Sequence, residues 1–478
     1  MQPVRRRLAT HAGDLNMRGK SVLPKITSAI LVARSAAAGA AHLAGDAVSQ
    51  VVVVAREAAV RQPPGPFRPA FWRSPLRGRW LTSVLGLILL AGLPVLAITG
   101  FLSYVSYDPR LHGNDETPGA NWLKFFFFSW PTHPAWLYRV NQGVHVTLGL
   151  ALLPFVLAKL WSVLPKLFSW PPVRSPAQAL ERLSLAMVVG GVLFEFVTGI
   201  LNIQDYYVFP FSFYTAHLYG AWVFIAGLVI HVALKFPKMV AGLRSRSLRR
   251  ELRTPLAATE PEAPDPFGLR AADPAPPTVS RRGLLLAVGG ASVLLAALAV
   301  GQSIGGWTRR TALFAPRGLS AVGPGKLPVN HTAAAAKITA ADVGPAYRLV
   351  VTGRQTVSLT RHQLMALPQR TAVLPLACVE GWSYSATWTG VPLAELARLA
   401  GITRPVSALV ESMQQAGSFR RVTLSAGQVA DPRSMLALCL NGADLPPDHG
   451  YPARTIIPAA PGVHNTKWVN KITFLAEQ

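Results

Sequence analysis

Cysteine is scarce: the 478 residues contain two, Cys378 and Cys439. Two thiols make at most one disulfide, which excludes a disulfide-stapled scaffold. Neither thiol lies in a CxxC or CxxCH spacing, so a zinc ribbon and a covalently attached c-type haem have no support. Charge is also scarce. Asp, Glu, Lys and Arg together make up 14% of the chain and apolar residues 50%. That balance excludes an ordinary soluble protein and fits several membrane spans joined to a soluble part. Acids are the scarcer sign, 22 against 47 Lys and Arg, giving a net charge of +25. Nucleic-acid binders can show such an excess, but no basic stripe here is interleaved with aromatics. Cytoplasmic loops beside membrane helices collect Arg and Lys, so no nucleic-acid partner is expected.

Residues 1–79 form a basic N-terminal region (Arg5, Arg6, Arg7, Arg18, Lys20, Lys25). Its Ala/Val-rich stretch, 26–60, is broken by Arg34, Asp46, Arg56 and Glu57 and makes a poor span; Pro63, Pro64 and Pro66 end it. Apolar runs follow at 80–104, 139–160, 183–203 and 216–236, each long enough to cross about 30 Å of hydrocarbon. A cytoplasmic linker over 241–282, rich in Pro, Ala and acids, precedes a fifth run at 283–306. The loops at 105–138 and 204–214 carry few bases. Lys159, Lys166, Arg174, Arg182 and the Lys235–Arg253 stretch lie on the opposite side. The positive-inside rule then puts the N-terminus in the cytoplasm and residues beyond 306 outside the cytoplasmic membrane. Ser280-Arg281-Arg282-Gly283-Leu284-Leu285 is similar to a twin-arginine export signal; ordinary cytoplasmic anchoring arginines are the equal alternative.

After residue 308 the texture changes. Residues 347–353 and 356–359 alternate as strands, 360–366 and 393–400 suit short helices, and 455–457 and 471–474 suit strands. The expected architecture is therefore multidomain. An all-α membrane helical bundle, four spans over 80–240 plus a fifth anchoring span, leads into an α+β domain over 327–478.

His145, His217 and His231 lie inside the expected spans. Ionisable groups there are expensive and are functional candidates, and neutral imidazole is the usual axial ligand of b-type haem. His145 and His217 fall at similar depths near the outer surface. His231 lies 14 residues further along, about 21 Å deeper at roughly 1.5 Å per residue. One b haem between His145 and His217 is expected, with His231 a weaker candidate for an inner haem or for quinone contact, and His133 a spare outer ligand. The segments Trp136-Leu-Tyr-Arg-Val-Asn-Gln-Gly-Val-His145, Phe213-Tyr-Thr-Ala-His217 and Trp222 to His231 resemble four-helix membrane b-type cytochromes over residues 80–240.

Cys378 follows a strand-like run in Leu376-Ala-Cys-Val-Glu-Gly-Trp-Ser383. A thiolate is a soft ligand or a nucleophile, yet the local spacing alone would suit a buried, inert thiol. This loop, with Trp388-Thr-Gly390, resembles the metal-ligand loop of the sulfite-oxidase-type molybdopterin oxidoreductases, closest to the periplasmic methionine-sulfoxide-reducing branch. Two more blocks agree in order: Val329-Asn330-His331-Thr332, and Leu440 to Arg454 followed by Pro461-Gly-Val-His464-Asn-Thr-Lys467-Trp468. The resemblance implies a molybdenum–molybdopterin cofactor ligated by Cys378. It implies pterin contacts at Asn330, His331, His449, Arg454, Gly462, His464 and Lys467. Trp382 and Tyr384 are candidates for lining the substrate pocket. The sulfite-oxidising branch follows its cysteine with an Arg-bearing segment, whereas Val379-Glu-Gly-Trp382 stands here, which favours a neutral S- or N-oxide.

The expected function is oxo transfer on a small molecule outside the membrane, with electrons exchanged with the quinone pool through b haem and an additional redox subunit as an open partner. Two alternatives stand beside it: a sulfite-oxidase-like dehydrogenase running oxidatively, and a metal-free membrane-anchored binding module.

Overall fold

A computed structural model describes residues 63–115, 128–173, 175–264, 268–315 and 327–476, with Ser35, Asp46 and Ser49. The 26–60 stretch (those three positions apart), Glu116, Lys124 and Arg174 lie outside the described residues. The chain divides into two units. In the described part of the first (Met1–Phe71 with Phe168–Arg174), Phe67 meets Phe168 and Trp170 edge-on, with ring centroids 5.4 and 5.9 Å apart. Everything below belongs to the second unit, Trp72–Leu167 with Ser175–Gln478.

Five helices there are long and apolar enough to cross a membrane: α1 (Arg79–Ser106), α2 (Leu137–Leu167), α3 (Pro176–Ile203), α4 (Phe213–Arg244) and α5 (Arg281–Ile304). Their starts follow local chemistry. The Ser175, Ser212 and Ser280 hydroxyls accept from the N–H groups of Gln178, Thr215 and Gly283, satisfying donors that a helix start leaves bare. Large apolar side chains such as Ile98, Val229 and Val293 point outward, as lipid-facing positions should. The sequence sets the last helix apart as an anchor, but α5 packs along α2. Ser292 Oγ donates to Ala151 O at 2.6 Å, Leu295 and Ala299 join Val146, Leu150 and Ile203 in one apolar cluster, and a Cβ on Gly143 would lie 2.8 Å from Ser303 Cβ. Only glycine lets these two helices approach so closely.

Arg281, first of the paired arginines, is 1% exposed. It donates to Pro75 O and Glu260 O at 3.3 and 2.9 Å and pairs with Glu251 at 3.4 Å. Glu262 in turn accepts from the Trp80 and Leu81 N–H groups, where the α1 dipole favours a negative charge. In the folded chain Arg281 therefore pins the 251–262 segment beneath the start of α1.

The C-terminal domain is built on two five-stranded sheets. One runs in the order β2 (Thr356–Leu359), β1 (Leu349–Thr352), β10 (Val469–Ala476), β5 (Pro405–Ser412), β6 (Arg421–Ser425). The other runs β3 (Arg370–Ala377), β4 (Ser383–Pro392), β7 (Met435–Leu440), β8 (Ala443–Asp444), with β9 (Arg454–Ile456) also on β7. All pairings are antiparallel except β1 with β10. Short helices α6 (Arg361–Ala366) and α8 (Ala426–Ala430) start with capping boxes, Thr360 with Gln363 and Ser425 with Gln428, and α7 (Leu393–Leu399) lies between them in sequence. One apolar core gathers Leu349, Val351, Leu396, Val410, Leu438 and Phe474; a second gathers Leu374, Trp382, Trp388 and Ile456.

Loops from the helical part clasp this domain. Asn114, fully buried, donates to Tyr107 O and Thr423 O and accepts from Thr423 N–H, each at 2.8 Å. Trp130 Nε1 donates to Ala459 O at 2.7 Å, and Ala459 N–H donates to Ala135 O. Buried polar groups satisfied in this reciprocal way fix one docking geometry.

Candidate redox centre and membrane cavity

β3 and β4 pair up to Ala377 opposite Ser383, so residues 378–382 form a hairpin tip. The Cys378 N–H donates to Trp382 O at 2.9 Å and the Gly381 N–H to Cys378 O at 3.0 Å. Gly381 sits at φ +91°, where a side chain would be strained. The tip holds the half-buried thiol of Cys378. Asn330 Nδ2 lies 3.2 Å from Cys378 Sγ and 2.8 Å from Glu380 Oε1, and Trp382 Nε1 donates to Glu380 Oε2 at 2.9 Å. Beneath the tip, Pro461 bridges Ala377. A Cβ on Gly462 would come 3.0 Å from Ala377 O and 3.7 Å from Cys378 Cα, so glycine lets this backbone pack closely against the start of the tip.

Among the described residues, no group of three His, Cys, Asp or Glu side chains could hold a metal by itself. A metal at Cys378 would need ligands from outside such a group. The same domain holds buried polar atoms that lack partners. Arg454 Nε, Ser383 Oγ and Thr466 Oγ1 are buried without a hydrogen-bond partner, a costly state unless a further group satisfies them.

The sequence-predicted residues fall into groups. Asn330, Cys378 and Gly462 come together as described. His331 and Lys467 form a second edge: Lys467 Nζ donates to His331 O and Asp448 O, both at 2.8 Å, and the His331 ring meets Trp468 edge-on. His449 and Arg454 form a third group. The Arg454 guanidinium donates to His449 O and Asn465 O at 3.1 and 2.9 Å and stacks on Trp388. Burial pulls the Arg454 pKa down to about 9. Trp382 fills the second core and Tyr384 lies under the Arg309 guanidinium, so packing accounts for both side chains.

His464 is wholly buried, with Tyr107 edge-on at 5.8 Å. Burial drives its pKa down to about 4, partly opposed by the Tyr107 carbonyl, and burial with the Arg454 charge does the same to His449. Both imidazoles are neutral when folded and protonate more readily when unfolded. The unfolded state then binds more protons between pH 6.5 and 4, so stability falls as pH drops through that window. Each should be worth roughly 3 kcal/mol across it. Thermal melts of a His464→Gln variant should show a flatter acid limb than the parent; an identical limb would refute this assignment.

The second candidate site is an apolar cleft among α1 to α4, lined by His145, Glu195, His217, Tyr104, Gln142 and Val379 with others. The His145 and His217 rings are 6.4 Å apart and nearly perpendicular at 81°. His145 Nδ1 lies 3.0 Å from Leu96 O, which can only accept. Nδ1 therefore carries the proton and Nε2 is left as a basic ligand atom. His217 Nδ1 meets Glu195 Oε2 and Thr198 Oγ1, each at 3.1 Å. His231 does not line this cleft. His133 is exposed beside Asp431, outside the cleft.

Sequence reasoning passed over Glu195, Glu380, Gln142 and Ser303. Glu195 was findable as the lone charged residue of its apolar run. The other three carried no signal of their own.

Residues 335–478 match the family described as "Oxidoreductase molybdopterin binding domain". Over 188 positions the chain is 28% identical to a protein provisionally named protein-methionine-sulfoxide reductase subunit YedZ1 from Azospira oryzae, covering 38% of this chain and 68% of that protein. It is 34% identical over 112 residues to the protein-methionine-sulfoxide reductase catalytic subunit MsrP of Xanthomonas campestris, covering 21% of this chain and 35% of that one. Against the sulfite oxidase of Arabidopsis thaliana it is 28% identical over 146 residues, 25% of this chain and 37% of that one. The chain thus spans little more than a third of the last two relatives.

Proposed function

We propose, from a C-terminal domain that is a molybdopterin-binding oxidoreductase domain of the sulfite-oxidase superfamily, that this chain transfers oxygen to or from a small molecule outside a membrane. In this reading it exchanges electrons with the quinone pool through one b haem between His145 and His217. The observation that carries it is the position of Cys378, at a hairpin tip of the matched domain and next to a residue lining the two-histidine cleft.

When bound, the molybdenum–pterin would supply two-electron oxygen-atom exchange and the haem single-electron transfer. The chain's own residues do the rest. Cys378 offers the soft thiolate, which the Asn330 amide steadies. Lys467, His331 and the Gly462 backbone line the edges where a polar, anionic pterin would be gripped. Trp382 and Trp130 keep bulk water from beneath the hairpin. The Glu380 carboxylate, two residues from the thiol and accepting from Asn330 and Trp382, disfavours an oxyanion such as sulfite. A neutral S- or N-oxide is the better fit, and two of the relatives are named for protein-methionine sulfoxide. Electrons then run from quinol to substrate. His231, outside the cleft, is assigned to the quinone side. The N-terminus is placed in the cytoplasm, and the paired Arg281 and Arg282 serve export of the domain before Arg281 is buried.

Full-length protein purified in detergent from cells that make the cofactor should contain stoichiometric molybdenum and show a b-type reduced-minus-oxidised spectrum. Metal-free protein would leave only the binding-module reading.

A further inference from the structure

The hairpin tip that carries Cys378 is seated on the membrane helices. Gln142 Nε2 of α2 donates to Val379 O at 2.5 Å, Ser303 Oγ of α5 donates to Gly381 O at 2.6 Å, and Arg309 donates to Ser383 O. A Cβ on Gly381 would lie 2.9 Å from Val146 Cβ, so the tip approaches α2 closely enough to demand glycine. Val379, covalently next to Cys378, and Gln142, one helical turn before His145, both line the cleft between His145 and His217. The other anchors, Ser303 and Arg309, do not.

We infer that the Gln142–Val379 junction is the electron-transfer contact between the two centres, with Gln142 a positioning residue that holds the Val379 peptide against the cleft wall. This inference rests on the reading of a metal at Cys378 and a haem between the histidines. The transfer moves one electron from ferrous haem, leaving it ferric, to the molybdenum centre; no bond forms or breaks, and quinol re-supplies the electrons. The path from the cleft wall to the thiolate runs through the Val379 side chain, one peptide unit and the Cys378 side chain. The carbonyl of the following peptide, Val379 O, is fixed by a hydrogen bond from the helix that bears His145, and the Cys378 carbonyl by the Gly381 N–H within the tip.

The test is flash reduction of the haem by a deazaflavin radical in full-length purified protein, following haem absorbance as the electron passes to molybdenum. Gln142→Met removes the donor at nearly constant volume, Val379→Ala removes the wall side chain, and Ser303→Ala removes an anchor that lies off the path. Gln142→Met and Val379→Ala should slow the recovery phase by about tenfold to a hundredfold, the usual loss when an orienting partner is removed. Molybdenum content and haem spectrum should be retained, and Ser303→Ala should stay near the parent rate. Equal rates in all three, or equal slowing in all three, would overturn the inference. Loss of haem from both cleft-lining variants would overturn it too, by making the junction part of the haem pocket instead. If one variant fails to fold, the other carries the comparison. A parent protein lacking molybdenum or haem would instead sink the proposed function. A parent holding both but showing no recovery phase would sink only the junction.

Discussion

Cys378→Ser should yield a folded, haem-containing protein whose oxidoreductase activity has fallen to background. The substituted hydroxyl is a hard, weakly acidic oxygen in place of a soft thiolate, so in the proposed reading the metal loses its protein ligand. The fold should scarcely notice. Backbone bonds hold the hairpin tip, Cys378 N–H to Trp382 O and Gly381 N–H to Cys378 O, and the half-buried sulfur has the Asn330 amide beside it, which a hydroxyl can also accept. A stability change within about 1 kcal/mol is expected, as for substitutions outside a packed core. Activity with methionine sulfoxide or dimethyl sulfoxide, driven by reduced viologen, is the measurement. Activity near the parent level would remove Cys378 from the chemistry and return it to the role of a packed thiol.

The second large effect is expected at His145. With Nδ1 committed to Leu96 O, the ring presents Nε2 alone as a ligand atom, and alanine offers nothing in its place. His145→Ala and His217→Ala should each lose the b-type spectrum, whereas His231→Ala should keep it. Quinol-driven turnover should vanish in the first two while viologen-driven turnover persists, because the artificial donor can reach the outer domain directly. Full haem in His145→Ala would break the proposed pairing.

The membrane helices were legible because a lipid-facing surface must be apolar on nearly every side. The first four expected runs fall inside the helices, and the fifth overruns its helix by two residues, because Gly305 ends it. The second and fourth stop short at the ends where α2 continues past Lys166 and α4 reaches Arg244, since helix continues beyond hydrocarbon but hydropathy does not. In the C-terminal domain the strand-like segments gave β1, β2, β9 and β10 to within a few residues. Met435-Leu-Ala-Leu-Cys-Leu440 is β7 and is almost wholly buried, and so shows no alternation to read. Among the site residues, Cys378, Asn330 and Gly462 stood in recognisable blocks. Gln142 and Ser303 did not, because their roles depend on which helix faces which loop, and that is settled only by tertiary packing. Trp382 is ambiguous in sequence, since an aromatic beside a thiol suits a pocket wall or a core equally; its indole packs in the second core and is tied to Glu380.

The clasp at Asn114 and Trp130 bears on how the protein is assembled. In the proposed orientation those loops emerge early, on the far side of the membrane, while their partners Thr423 and Ala459 are synthesised some three hundred residues later. Until the C-terminal domain arrives, Asn114 has Tyr107 O as a partner but lacks both Thr423 groups, and the Trp130 indole lacks Ala459 O. Biogenesis is thus ordered: a helical receptacle comes first, then a domain complete enough to present both partners at once. A domain delivered half-folded would meet the loops without the groups they bind, which gives the receptacle a means of accepting only the finished domain.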